Sequence, residues 1–453
     1  MARPTAREVA LDILIQIEVQ QAYSNLALNQ HLQQSNLDPR DKRLVTELVY
    51  GCIQRQNTLD WMILQLVKKA RSLEPWVKQV LRLGLYQLAY LDKIPERAAV
   101  HETVQLTKRR GYLGVSKLVN GVLRNYLRRK HELSPPSHPR SLTQKAIAYS
   151  HPAWMIKHLE MAYGEEVARQ VCEANLIPPK VCVRVNTLQM DRETFITQWN
   201  QTEEGEAIPS ELVPDGVIIR KGGNPAYSRL FEQGACTIQD ESSMLVGQIL
   251  SPKPGMKVLD ACAAPGSKTT HLAQLMNNEG VILANDIHPH KMDLIQSQVR
   301  RLGIEIVKTH SCDARQLSQR LQGEQYDAIL LDAPCSGLGV IHRKPDIKWG
   351  KEVQDVQALV QVQQDILETL TTLLKPGGTL VYSTCTWEPS ENCEQITRFV
   401  KDHPDFILDK TITTDLPPEL QDRVIKGPGW IQILPHHFQS DGFFISRLIK
   451  KRV

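Results

Sequence analysis

The chain has 453 residues, of which 42% are hydrophobic and 23% charged. That is near the globular average, which excludes a largely disordered chain and allows two to four domains. Net charge is +4, but unevenly divided: residues 1–140 carry 22 Lys and Arg against 12 Asp and Glu, a net of +10, and the rest a net of −6. No run of 18 apolar residues occurs, because Arg82 and Gln87 interrupt the stretch 80–91, so no membrane span is expected. The N-terminus lacks the apolar core and small-residue cleavage site of a secretory signal. Nine cysteines stand without CxxC spacing. They read as reduced thiols in a cytoplasmic protein, with no metal site expected.

Residues 4 to about 131 predict helices throughout. Thr5-Ala-Arg-Glu8 fits a capping box, and Ala6, Val9, Ala10, Ile13 and Ile17 recur at helical spacing. Further helices are expected over 41–54, 59–70, 76–91, 98–108 and 116–129, giving an N-terminal all-α bundle. Between Thr103 and His131 there are eight bases and no acid: Lys108, Arg109, Arg110, Lys117, Arg124, Arg128, Arg129 and Lys130. A solvated helix face is the bland explanation. A run without a compensating acid favours a surface that meets phosphates.

Pro135, Pro136 and Pro139 mark a linker over 132–144. Residues 145–245 predict a small α+β region. It has helix over 145–175, a break at Pro178-Pro179, strands at 181–185 and 216–220, and a helix at 187–200. From 246 to 453 the pattern alternates strand and helix, which predicts an α/β, Rossmann-like domain with a doubly wound parallel sheet. Its strands are expected at 256–260, 281–286, 304–309, 326–332 and 379–383, with a long helix over 353–374 stopped by Pro376-Gly377-Gly378.

Three motifs fall at the ends of those strands. Asp260-Ala-Cys-Ala-Ala-Pro-Gly266-Ser-Lys-Thr-Thr270 follows the first and opens a helix. Its small residues let a ligand approach the backbone. It matches neither GxGxxG nor GxxxxGK[ST], which argues against a dinucleotide or ATP. Asp286 ends the next strand, where a carboxylate can accept hydrogen bonds from ribose hydroxyls, and Asp313 follows the third, near an adenine. Together they suit a nucleoside-bearing cofactor without a pyrophosphate, as S-adenosyl-L-methionine is. Asp332-Ala-Pro-Cys335-Ser-Gly ends the fourth strand and Ser383-Thr-Cys385-Thr the fifth. Neighbouring ends of a parallel sheet bring both thiols to one crevice beside Asp332. A thiolate that adds to C6 of a pyrimidine makes C5 nucleophilic, and a base must later remove the C5 proton so that the thiol can leave. Two cysteines and an aspartate have the residue types for that chemistry.

With these motifs in place, residues from about 255 to 390 resemble the RNA 5-methylcytosine methyltransferases of the NOL/NSUN/Sun group. Arg343-Lys-Pro-Asp-Ile-Lys-Trp349 and the stretch from Lys375 to Cys385 add to the likeness, which runs on through Asp441-Gly-Phe-Phe. The first 130 residues resemble a NusB-type RNA-binding domain. The combination is similar to bacterial enzymes of that group that methylate a cytosine of small-subunit (16S) ribosomal RNA. The resemblance implies roles. Cys262, Ala263, Ala264, Pro265, Gly266, Ser267 and Lys268 would line the methionine part of the cofactor, Asp286 the ribose and Asp313 the adenine. Asp332 would contact cofactor and base, Cys385 would be the nucleophile, and Cys335 would assist product release. Ser267 stands where the group often has Gly, and Thr386 where it often has Ser. The same chemistry on transfer RNA is an alternative, as is a non-catalytic RNA-binding ribosome-assembly factor. A domain order follows: a helical RNA-binding bundle over 1–131, the linker, the small α+β region over 145–245 and the methyltransferase over 246–453. The chain is expected to act as a monomer on ribosomal RNA, away from membranes.

Overall fold

The computed structural model describes residues 4–20, 22–111, 113–202, 205–414, 416 and 418–452. It divides into two compact units, 1–178 with 341–351, and 179–340 with 352–453.

The first unit is helical. Helices α1 (Ala6–Gln20), α2 (Ser24–Gln34), α3 (Pro39–Gln54), α4 (Gln56–Leu66), α5 (Pro75–Tyr90), α6 (Glu96–Arg110) and α7 (Leu113–Arg128) form the bundle. The Thr5 amide donates to Glu8 and the Glu8 amide to Thr5 Oγ1, closing the capping box that starts α1. Helix α5 is buried on almost every side from Val77 to Leu88, as a central helix must be. Its Arg82 is only 2% exposed and is held by Asp60 through two hydrogen bonds of 2.7 and 2.8 Å. Helix α2 has no counterpart among the expected elements. Helices over Leu142–Ala148, Ala153–Tyr163 and Glu165–Ala174 also belong to this unit. So does the segment Ile341–Lys351. Buried Lys348 donates to the carbonyls of Gln54 (2.7 Å) and Ser150 (2.8 Å), and Trp349 Nε1 to that of Ile53 (2.8 Å).

The acid-free run is not uncompensated in space. Arg109 pairs with Glu8 at 2.8 Å, Arg110 with Asp12, Arg129 with Glu132 at 2.8 Å and Lys130 with Glu96 at 3.3 Å. Lys117, Arg124 and Arg128 are exposed along one stripe of α7 and form no ion pair among the described residues.

The second unit opens with strands β1 (Val181–Val185), β2 (Glu206–Pro209), β3 (Gly216–Lys221) and β4 (Cys236–Ile238). They form an antiparallel sheet in the order β2-β3-β1-β4, backed by Phe195 and Trp199 of the helix Arg192–Thr202. The larger sheet holds the parallel strands β5 (Lys257–Asp260), β6 (Val281–Asp286), β7 (Val307–Ser311), β8 (Tyr326–Asp332) and β9 (Leu374–Thr384), in the order β9-β8-β5-β6-β7. This is the expected Rossmann-like arrangement. Beyond β9 it continues antiparallel through β13 (Phe443–Lys450), β12 (Trp430–Ile433) and β11 (Ile425–Gly427), with β10 (Phe406–Leu408) also on β13. The sheet is therefore mixed.

Alternation along each strand divides its residues between two cores. Val258, Leu330, Val381 and Ile445 pack with Leu272 and Met244. Leu259, Leu331, Leu380 and Phe444 pack with Ile366 and Phe399 on the other face. The crossover helix before β9 ends at Leu370, four residues earlier than expected. Pro376-Gly377-Gly378 instead lies within β9, beside a register shift opposite Tyr326 and Ala328. Gly377 has φ of +78° there, a conformation that L side chains rarely adopt.

Candidate active site

Strand β5 delivers Asp260, a buried carboxylate. One oxygen accepts from Thr269 Oγ1 at 2.7 Å, and Oδ1 has no hydrogen-bond partner. Burial, with the charge of Asp332 adding, raises its pKa to about 7. The chain then turns over Ala261 and Ala263, both buried. Gly266 caps the helix Ser267–Leu275 with φ of +102°, and a Cβ there would stand 3.2 Å from Ile295 Cα. Asn285 Nδ2 donates to the carbonyls of Ala261 and Cys312, both at 3.0 Å, which ties the end of β6 to the loops after β5 and β7.

Asp286 ends β6, and each of its oxygens accepts one backbone amide, from Ala264 at 3.3 Å and His288 at 3.1 Å. Lone pairs remain on both. Asp313 is differently engaged. It accepts from the Arg315 amide at 3.0 Å and pairs with the Arg315 guanidinium at 2.6 Å. Burial and the surrounding acids push Cys262 well up, so it rests as a thiol.

Strands β8 and β9 are parallel neighbours, with Asp332 opposite Ser383. Ser383 Oγ donates to Asp332 Oδ1 at 2.9 Å and Lys268 Nζ to Oδ2 at 2.7 Å. The ammonium also stands 4.9 Å from the centre of the Phe443 ring. Burial pulls the Lys268 pKa down, but the Asp332 charge outweighs it and holds the group above its ordinary value. Past these strand ends, Cys335 Sγ and Cys385 Sγ are 3.4 Å apart. Hydrogen bonding to Cys385, then burial and nearby negative charge, push Cys335 well above the ordinary thiol range. Asp260, Lys268, Asp332, Cys335 and Cys385 thus line one region of the sheet's C-terminal edge. Such a place suits thiol addition to a ring carbon next to a bound cofactor.

Some residues of this region were not picked out by sequence. Arg184 of β1 is 1% exposed and reaches the first turn of the Ser267–Leu275 helix. It donates to the Ser267 carbonyl at 2.7 Å, Thr270 Oγ1 at 2.9 Å, Gln274 at 3.2 Å and Gln239. Only the apolar neighbours of Arg184 along Val181–Val185 hint that it is buried. Asp260 lay inside the first motif without a role, and Glu391 carried no signal beyond its charge. Among the described residues no group of three or more His, Cys, Asp or Glu is placed to hold a metal, and no helix is long and apolar enough to cross a membrane.

Comparison with known proteins bears on the same elements. Residues 247–449 match the family model "16S rRNA methyltransferase RsmB/F". Residues 4–128 match the NusB family and 151–225 the RsmF/B-like ferredoxin-like domain. The chain is 44% identical over 452 residues to a "Probable ribosomal RNA small subunit methyltransferase B" of Bacillus subtilis (strain 168), covering 100% of both. It is 35% identical over 451 residues to the "Ribosomal RNA small subunit methyltransferase B" of Escherichia coli O1:K1, covering 98% of each. The crystal structure of PH0851 superposes with a TM-score of 0.80 at 27% identity, over 99% of this chain and 100% of that one.

Proposed function

The chain belongs to the 16S rRNA methyltransferase RsmB/F family, and we propose that within it this chain methylates C5 of a cytosine in small-subunit ribosomal RNA, with S-adenosyl-L-methionine as donor and a cysteine–RNA adduct as intermediate. The observation that carries the reading is the pair of thiols 3.4 Å apart at the ends of adjacent strands, next to Asp332.

The residues present fit the cofactor. Asp260 Oδ1 is a buried acceptor without a donor, as an ammonium requires. Asp286 keeps a lone pair on each oxygen for two ribose hydroxyls. Cys262 through Lys268 supply the small cradle, and Asp313 offers the adenine only the face that Arg315 leaves open. S-Adenosylmethionine, when bound, supplies an electrophilic methyl group on a sulfonium.

The chain's own residues do the rest. Cys385 Sγ adds to C6 of the cytosine as its proton passes by way of the Asp332 carboxylate to N3, and the ring electrons shift to an enamine whose C5 is the nucleophile. Asp332, anchored by Lys268 and Ser383, meets the base. Cys335 starts as a thiol, kept so chiefly by its hydrogen bond to Cys385. Once Cys385 sulfur is bonded to carbon that hydrogen bond is lost, while burial and the charges of Glu391 and Asp332 remain. Cys335 passes its proton to solvent and, as thiolate, takes the proton from methylated C5. The C5–H electron pair re-forms the C5–C6 double bond and expels Cys385 sulfur. On the RNA side, Lys117, Arg124 and Arg128 of α7 contact phosphates.

The test is transfer of labelled methyl from S-adenosylmethionine to small-subunit ribosomal RNA, offered both naked and in assembly intermediates, with transfer RNA alongside. Label in the ribosomal RNA at one bisulfite-resistant cytosine supports the proposal. Label in transfer RNA, or in a nucleoside that co-elutes after digestion with N4-methylcytidine and not 5-methylcytidine, contradicts it.

A further inference from the structure

Behind the two cysteines lies a buried carboxylate that the proposed reaction does not use. Glu391, on the short helical turn Pro389–Glu391, is 0% exposed. Among the described residues it forms no ion pair with any base. A carboxylate buried without a cation is costly unless donors surround it, and here they do. Oε2 accepts from the Ser336 amide at 2.9 Å and from Gln363 Nε2 at 3.0 Å, and Oε1 accepts from Ser336 Oγ.

The hydrogen bonds have a single direction. The Ser336 hydroxyl proton is committed to Glu391, so its oxygen must accept from Thr386 Oγ1, 2.9 Å away. Thr386 Oγ1 accepts in turn from the Glu388 amide at 3.2 Å, which leaves its own proton for Ser336. The chain runs Glu388 N–H to Thr386 to Ser336 to Glu391. Ser336 and Thr386 are the residues directly after Cys335 and Cys385. The link therefore crosses between the two cysteine loops one residue away from each sulfur. Gln363 Nε2 also donates to the Pro334 carbonyl at 3.0 Å, so the backbone is held on both sides of Cys335. The Tyr382 hydroxyl fixes the Glu391 carbonyl at 2.6 Å.

We infer that Glu391 is a positioning residue which, through Ser336 and Thr386, sets the distance between Cys335 and Cys385 and so the release of methylated RNA. Its chemistry rests on the covalent reading above; its geometry does not. A base must stand within hydrogen-bond reach of the proton it removes. A shift of one loop against the other moves Cys335 away from the C5 proton without touching the cofactor. The burial that raises the Glu391 pKa is offset in part by Ser336 and Gln363, the donors that the link requires. Thr386 fits because the link needs a hydroxyl, which Ser and Thr share and Val lacks.

The experiment uses the full chain and variants Thr386→Val, Thr386→Ser and Glu391→Gln. Without RNA, a small aromatic disulfide oxidises Cys335 and Cys385 to one disulfide. Two sulfhydryl protons and two electrons pass to the reagent, which leaves as two aromatic thiols. The linked Cys335–Cys385 peptides are followed by mass. Thr386→Ser should close within about twofold of the natural chain, and Thr386→Val and Glu391→Gln at least about tenfold more slowly, because the thiols are no longer held as neighbours. In methyl transfer, the two disrupting variants should lose kcat and accumulate RNA adduct on denaturing gels, with KM for S-adenosylmethionine within about twofold. A merely structural role would not spare that KM, nor be rescued by Thr386→Ser. Closure at the natural rate in Thr386→Val overturns the inference, and this variant decides the matter if Glu391→Gln fails to fold. Failure of the methyltransferase reading would leave the disulfide rates intact and so be told apart.

Discussion

Asp260 has one oxygen on Thr269 and the other on nothing. With its pKa raised from 3.8 to about 7, the folded chain keeps a proton that the unfolded chain has already lost. That group's contribution to stability is fully present below about pH 4 and is lost as pH rises through about 7. The Tm of the cofactor-free protein should therefore fall across pH 5–8, and Asp260→Asn should flatten that fall. An ammonium at Oδ1 favours the ionised form, so the rise in Tm on adding S-adenosylmethionine should grow with pH in the natural chain and not in the variant. Parallel Tm profiles for the two proteins, with and without cofactor, would show that Asp260 does not meet the cofactor. The sequence marks Asp260 as a strand-end acid, but not the spare oxygen. That depends on where Thr269 sits after one turn of the following helix.

At the scale of elements, α7 is the plainest revision. Read along the chain, eight bases lack acids. In space, Glu8 and Asp12 of α1 reach Arg109 and Arg110, from about a hundred residues away, and linear charge counting cannot see them. What remains is Lys108 at the end of α6 and, on α7, a stripe of Lys117, Arg124 and Arg128. Gly121 lies among them, and a Cβ there would meet nothing within 4 Å. A mid-helix glycine costs roughly 0.5–1 kcal/mol relative to alanine. No packing requires this one, while a bare spot lets a phosphate backbone come close. In the full chain, Lys117→Gln with Arg124→Gln and Arg128→Gln should lower the slope of log affinity for RNA against log salt by about two to three, one counterion per phosphate contact. Arg109→Gln with Arg110→Gln should change it much less. A larger loss from the second pair would return the binding face to α6. Other elements escaped for local reasons. Helix α2 buries only Ser24, Ala27 and Leu28 of its eleven residues. Strands β10, β11 and β12 have three or four residues each, too few to display an alternation.

For the whole molecule, the parallel half of the large sheet was legible because β5, β6 and β8 are apolar runs ending in Asp260, Asp286 and Asp332. The rule that ligands gather at strand ends then points to the site. It does not extend to partners brought in from other layers. Arg184 comes from the small sheet and holds the Ser267 carbonyl across 83 positions of sequence. Glu391 acts on Ser336 across 55. Residues 341–351 lie between strands of one unit and are packed in the other, and nothing local in Arg343 to Trp349 foretells that. The side chains gathered at the strand ends were thus readable, and the residues that hold them in place were not.

The account stands or falls on two thiols with different tasks. The most direct measurement is a denaturing gel of Cys335→Ala and Cys385→Ala, each incubated with small-subunit ribosomal RNA and S-adenosylmethionine. Cys335→Ala should accumulate a covalent RNA complex that survives denaturation and requires S-adenosylmethionine, because the adduct forms and is methylated but its C5 proton has no base. Cys385→Ala should yield neither complex nor methylated RNA. A trapped complex in Cys385→Ala alone would exchange the two roles, and full activity without any complex in both variants would contradict the covalent mechanism.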